Sequence, residues 1–238
     1  ITPTINEKFK YAYLSHHWAK VSEPKDIVKG LAYSAKMKGV TFREERVKSV
    51  CEKLNSILIN FDKGNTAYDA VVIASGINSV SLAKSLGDFL PMTAERGYNL
   101  TIPLSNIDID IPIVFADRGI VATSLESGLR IGGWAEYAHL SRPANPNYFN
   151  SIARISQDLF PGLNIENANY WMGSRPSTPD SVPVISKSLK IDRVFYNCGH
   201  GHYGLTHAAT SANLLCSLIE GEQNSNEIKA LSIDRFLN

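Results

Sequence analysis

The chain has 238 residues, with 24 basic and 23 acidic side chains and a formal charge of +1, so it carries no electrostatic footprint for nucleic acid or for an acidic membrane surface. Hydrophobic residues at 44% and charged residues at 20% mark an ordinary globular composition, long enough for one large or two ordinary domains. No apolar run is long enough to span a bilayer, and the opening Ile1-Thr2-Pro3-Thr4 has neither an initiating Met nor the apolar core of a signal peptide, as expected of a fragment or a processed chain.

The first expected element is a helix starting at Ser22-Glu23-Pro24, with Pro in its first turn. Ile27, Val28, Leu31, Ala32 and Ala35 share its inward face and Gly39 ends it. Short strands are expected over 40–42 and 47–54, then a half-exposed strand carrying Ile57, Ile59 and Phe61, closed by the turn Lys63-Gly64-Asn65. Tyr68 to Ala74 is a continuous apolar run, the pattern of a strand buried on both faces of a parallel sheet. It ends in Ser75-Gly76, and Val80, Leu82, Ala83 and Leu86 then give a short helix stopped by Gly87.

From Tyr98 to Trp134 the pattern becomes one of short antiparallel strands, Gly128–Gly133 among them. A helix over 148–160 places Phe149, Ile152, Ile155 and Leu159 on one face, with Pro161-Gly162 as its stop. Val194–Cys198 reads as a buried strand, and 205–220 as a helix with Leu205, Ala208, Ala212, Leu215 and Ile219 inward. Cys51, Cys198 and Cys216 form no CxxC pair and read as buried free thiols.

Three segments carry chemistry. At Ala74-Ser75-Gly76 a strand end presents little side chain, so a planar or phosphate-bearing ligand can approach the backbone. In Trp171–Ile185, Arg175 sits between glycine and proline punctuation and suits bidentate capture of a carboxylate as well as it suits a structural ion pair. Gly199-His200-Gly201-His202-Tyr203-Gly204 follows a strand and runs into a helix, whose first amides and dipole make an anion site. His200, His202 and His207 invite a metal reading, but no third ligand stands at a familiar spacing. Glu136 reads as a solvated strand end, His16-His17 as a surface or pocket-wall pair, and Trp171 equally as a site wall or a core aromatic.

In this order, YDAVVIASGINSVSLAKSLGDFLPMTAERGYNL, SRPSTPDSVPVI and GHGHYGLTHAAT resemble the D-amino acid oxidase/dehydrogenase superfamily of FAD enzymes, with bacterial D-amino acid dehydrogenases nearest and glycine oxidase and proline-type dehydrogenases close by. The resemblance implies a fold of α/β plus α+β class: a partial FAD/NAD(P)-binding domain of glutathione-reductase-like type over 23–79 and 173–238, and an antiparallel-sheet substrate domain over 1–22 and 80–172. It implies an enzyme that oxidises a small amino acid, a D-amino acid, by hydride transfer from Cα to FAD. Arg175, Tyr98, His202 and Tyr203 would bind substrate. Val47, Ala74, Gly76, His200, Gly201, Gly204, Leu205 and Thr206 would contact FAD. No catalytic acid or base is assigned.

The implied acceptor is oxygen or a membrane quinone, and the implied location cytoplasmic, with a quinone acceptor bringing peripheral contact with the inner face of the membrane. The family opens with a βαβ unit whose glycine-rich turn holds the FAD pyrophosphate, and no such opening unit is found here; Gly199 to Gly204 does not stand in that context. The expectation is therefore a missing N-terminal segment and weak FAD binding by this chain alone, the alternative being an inactive remnant or a subunit completed by a partner. Ser186 and Ala212 also stand where the family often has glycine.

Overall fold

A computed structural model describes residues 5–221 and 226–237. The chain divides into two units, the first made of Ile1–Thr41 and Arg96–Gly173, the second of Phe42–Glu95 and Ser174–Asn238.

In the first unit, α1 (Pro24–Met37) forms as the pattern predicts, with Pro24 in its first turn and Gly39 at φ +90 after its end. None of its residues is buried, however, and Ile27, Val28 and Leu31 are exposed. The strand expected over 40–42 is absent, because the Val40 amide turns back onto Ala35 O at 3.1 Å as part of the helix ending. A five-stranded sheet has the order β6 (Ile113–Phe115), β7 (Ile120–Leu125), β8 (Gly128–Tyr137), β5 (Thr93–Ile102), β9 (Asn169–Ser177). β7 pairs antiparallel with both β6 and β8.

The helix α3 (Pro146–Leu159) is started by Asn145, whose side chain accepts the Asn147 amide at 3.1 Å. It buries Ile152 and Leu159 in a core shared with Leu100, Ile120, Leu129, Ile131 and Phe160. β7 and β8 approach so closely that a Cβ on Gly133 would lie 1.9 Å from Gly119 O. We expect Gly133→Ala to cost about 1–3 kcal/mol by overpacking, read as a lower urea midpoint, whereas Gly162→Ala meets no atom within 4 Å and suffers only from its positive φ.

In the second unit, β1 (Val47–Lys53), β2 (Ser56–Phe61) and β3 (Asn65–Tyr68) form an antiparallel meander, with Gly64 at φ +96 in the β2–β3 turn. A second sheet has the order β10 (Val184–Lys187), β11 (Val194–Cys198), β4 (Val71–Ile73). β11 runs parallel to β4 and antiparallel to β10. The run 68–74 is thus split, Tyr68 ending β3 and only 71–73 forming the parallel strand. β4 lies at the sheet edge and leaves Val72 exposed, so it is not buried on both faces as its apolar sequence suggests.

The helix α2 (Ser79–Leu86) ends at Gly87 with φ +86 and packs Ala83 and Leu86 against Val184, Val194 and Tyr196. In α4 (Gly204–Ile219) the buried residues are Ser211, Leu215 and Leu218, so of the expected inward stripe only Leu215 is covered. Ser186 is buried and accepts the Ile233 amide at 3.1 Å. The expected thiol burial holds for Cys198, whose pKa burial pushes up to about 12, whereas Cys51 and Cys216 are exposed.

The two units are cut differently from the spans expected of a cofactor domain and a substrate domain. Residues 23–41 group with the first unit, to which the preceding segment is tied by the Glu126 amide on Ser22 O and by Lys20 Nζ on Ser124 O. Residues 80–95 group with the second, because Leu90 and Met92 join the core of α2.

Candidate functional site

Parallel pairing sets the site's position. Tyr196 of β11 lies opposite Ile73 of β4, so both strands deliver their carboxyl ends, Cys198 and Ala74, to the same edge of the sheet. That edge is where open α/β sheets receive ligands. On one side lie Ala74, Ser75 and Gly76, the last at φ +58 with open space where a Cβ would stand. On the other runs the turn 199–204. Gly199 is obligatory there, for its φ is +78 and a Cβ would sit 2.9 Å from Thr178 Cγ2.

The turn is pinned to the Arg175 strand. Ser177 and His200 form an antiparallel bridge, and the Gly201 amide donates to Pro176 O at 3.0 Å. The segment after Arg175 is fixed in turn: Thr178 Oγ1 donates to Val182 O at 2.8 Å, and Arg235 Nε donates to Asp180 Oδ2 at 2.8 Å. Burial would raise the Asp180 carboxyl, but the bonds from Arg235 and the Val182 amide hold it below the usual carboxylate range.

Beyond the turn, Tyr203 caps α4 without a side-chain bond, and the first helical hydrogen bond is His207 N to Tyr203 O at 2.9 Å. Among the described residues no hydrogen bond takes the amides of Gly204, Leu205 and Thr206. These three exposed donors carry the positive end of a helix of 16 residues. His200 sits behind them with Nε2 at 2.9 Å from Ser211 Oγ. Burial, aided by His207, lowers its pKa, which favours a neutral ring.

Glu95, at the start of β5, is the residue that gathers the charged groups. Its Oε1 takes His202 Nε2 and, at 3.3 Å, Arg175 Nη1; its Oε2 takes Ser177 Oγ at 2.7 Å. Burial would raise the Glu95 carboxyl; the bonds from Ser177 and His202 and the charges of His202 and Arg175 outweigh it and hold the group below its ordinary value. The side chain of Glu95 is 8% exposed, against 31% for Arg175 and 53% for His202. A buried anion therefore underlies two basic side chains that reach outward. The sequence pattern marks Arg175 and His202 as site residues; it does not mark Glu95 or Ser177.

The other expected site residues are distributed as follows. Val47 is half-buried on β1, and Leu205, Thr206, Tyr203 and Ala74 are exposed. Tyr98 belongs to the first unit and is enclosed there, its hydroxyl donating to Glu136 Oε2 at 2.6 Å and accepting the Asn145 amide at 3.1 Å. Burial raises its pKa. Glu136 is accordingly no solvated strand end: it is buried, with Arg96 Nη1 at 3.3 Å. Trp171 is exposed. Among the described residues no group of three His, Cys, Asp or Glu is placed to hold a metal ion.

The FAD dependent oxidoreductase (DAO) family matches residues 1–218, and the chain belongs to it. A D-amino acid dehydrogenase of Cereibacter sphaeroides is 35% identical over 87% of this chain and 48% of its own length. One of Rhizobium rhizogenes is 36% identical over 74% of this chain and 42% of its own. The chain thus spans about half the length of the curated relatives it matches. Among solved structures, glycine oxidase from Geobacillus kaustophilus aligns over 88% of this chain and 57% of its own, with TM-score 0.75 and 21% identity. L-proline dehydrogenase from P. horikoshii aligns over 90% of this chain and 60% of its own, with TM-score 0.76 and 19% identity. The expected fold class is therefore the observed one.

The residues present fit one end of an FAD molecule. A sheet edge with little side chain at Ala74–Gly76 and three free amides opening α4 suit a flat ring with an electron-rich rim. The G-x-G-x-x-G spacing occurs once, at Gly199, Gly201 and Gly204, where it leads from β11 into α4 and belongs to this ring-facing turn. No helix among the described residues is long and apolar enough to cross a membrane.

Proposed function

We propose that this chain forms the substrate-facing and ring-facing part of a flavin enzyme that oxidises a small D-amino acid to its imino acid, which water then splits to a 2-oxo acid and ammonia. The observation that carries the reading is a fixed arginine, Arg175, joined through Glu95 and His202 to the turn that opens α4. FAD, when bound, supplies the acceptor for the Cα hydride. Arg175 holds the substrate carboxylate and so fixes which hydrogen faces that acceptor. The amides of Gly204, Leu205 and Thr206 would hold the electron-rich edge of the ring and would stabilise negative charge there. Val47, Ala74, Gly76, His200 and Gly201 bound the cofactor, and Tyr203 and His202 stand at the substrate side. Tyr98, enclosed in the first unit, is left out of this reading.

The test is a substrate screen with FAD and an artificial dye acceptor. A small D-amino acid is expected to bleach the dye with release of a 2-oxo acid, and its L-enantiomer is not. With flavin bound and no D-amino acid active, the reading fails. The physiological acceptor, oxygen or a membrane quinone, sets whether the protein works at the cytoplasmic face of a membrane.

A second reading is favoured by the exposed apolar face of α1: the chain acts only with a partner that supplies a dinucleotide-binding unit. Under it the purified 238 residues show no flavin absorbance.

A further inference from the structure

We propose that His202, held by Glu95, accepts the proton that the substrate ammonium must lose before the Cα hydride can leave. This rests on the reading of Arg175 as the carboxylate anchor and adds to it the base that reading lacks. An amino acid at neutral pH carries an ammonium whose nitrogen has no free electron pair. Hydride departure from Cα needs that pair to form the C=N bond. A group placed beside the carboxylate anchor is therefore wanted, with a lone pair facing the ligand.

The geometry of Glu95 provides it. An ionised carboxylate only accepts hydrogen bonds, so the His202 Nε2 that meets Oε1 must carry the hydrogen. In the neutral ring the lone pair is then on Nδ1. That atom makes no hydrogen bond among the described residues, and the ring is the most exposed member of the cluster. Glu95 is in turn fixed by Ser177 Oγ on its other oxygen, so the imidazole is held from beneath by a buried, immobilised anion. A carboxylate that orients an imidazole and stabilises its protonated form is the arrangement of hydrolase triads. Glu95 is here a positioning residue, for it is buried and does not face the ligand.

Placement relative to Arg175 follows from the shared oxygen. Arg175 Nη1 and His202 Nε2 both reach Glu95 Oε1, so the two side chains leave the same point toward the exposed side. In an α-amino acid, ammonium and carboxylate share one carbon and need two such neighbouring partners. The other titratable groups facing His202 are Tyr203, with its ring centroid at 6.5 Å, and His207, stacked on Tyr203 at 5.6 Å. Neither bonds the ring nitrogens.

The step balances simply. One N–H bond of the ammonium breaks, its pair stays on nitrogen, and the proton bonds to Nδ1, giving an imidazolium beside Glu95. The Cα–H pair then goes to FAD while the nitrogen pair forms C=N, and the imidazolium returns its proton to water.

Two measurements test it. In the 238-residue chain labelled with nitrogen-15 histidine, the neutral form of His202 is expected as the Nε2–H tautomer, a preference that Glu95→Leu removes. A neutral Nδ1–H form in the unchanged chain overturns the proposal. In the flavin-loaded enzyme, His202→Asn is expected to lower kcat/KM by about 10²- to 10⁴-fold, the usual contribution of a positioned base. Its affinity for a carboxylic acid of the same side chain, lacking the amine, is expected to be unchanged. An unchanged kcat/KM overturns the proposal. Failure of that amine-free acid to bind the unchanged enzyme sinks instead the assignment of Arg175.

Discussion

Glu136→Ala destabilises the first unit by about 3–5 kcal/mol, the usual penalty for stripping the partner from a buried charge. Arg96 is fully buried, and Glu136 is its anion at 3.3 Å. Its remaining contacts are Pro143 O at 3.0 Å and the Met172 sulfur at 3.5 Å, neither charged. Removing the carboxylate also leaves the buried Tyr98 hydroxyl without the acceptor it now meets at 2.6 Å. Urea unfolding followed by tryptophan fluorescence reads this cleanly, because Trp18, Trp134 and Trp171 all belong to the first unit. Arg96→Met combined with Glu136→Leu removes both charges and is expected to be far milder than Glu136→Ala alone. A double variant as unstable as the single one would show that packing, and not an orphaned cation, sets the cost.

Arg175→Ala weakens binding of the substrate, or of an amine-free carboxylic acid analogue, by about 2–5 kcal/mol, which is roughly 30- to several thousand-fold. The fold is expected to survive, since Glu95 keeps Ser177 and His202 as partners. Arg175→Lys retains charge but not the fork that grips two oxygens, and is expected to recover only part of the loss. Isothermal titration on the flavin-loaded enzyme checks both. Unchanged affinity in Arg175→Ala would mean that the ion pair with Glu95 is all that the arginine does.

Helices α2, α3 and α4 and strand β11 are legible in the sequence because each carries its own period and its own stop, such as Gly87 after α2 or Asn145-Pro146 before α3. The three motif segments are legible because glycine and proline at fixed places limit what the backbone can do. The family match over 1–218 bears out the resemblance drawn from them. Burial is less legible. A helix with an apolar stripe, such as α1, announces that something should cover it, yet among the described residues Ala32 and Ala35 are only half-buried and Ile27, Val28 and Leu31 are exposed.

Glu136 departs from its sequence pattern for a definable reason. Along β8 Leu129 and Ile131 face the core, so strict alternation puts position 136 outward. Trp134, inside β8 at φ +46 with its indole N–H on Arg118 O at 2.8 Å, stands where the burial pattern changes phase, and Glu136 turns inward. Glu95 escapes a sequence reading because nothing local marks a carboxylate whose partners lie 80 and 107 positions away.

The borders of the units at 95/96 and 173/174 fall inside β5 and β9, and neither unit is a single stretch of chain. During synthesis, β4 is made more than a hundred residues before β11, its parallel neighbour, while the whole antiparallel sheet emerges in between. The early meander and β4 must wait, half-assembled, with an apolar strand on offer to other chains. Crowded expression should therefore favour aggregates nucleated by residues 68–74, and truncation after Gly173 should yield a product that clumps and never matures.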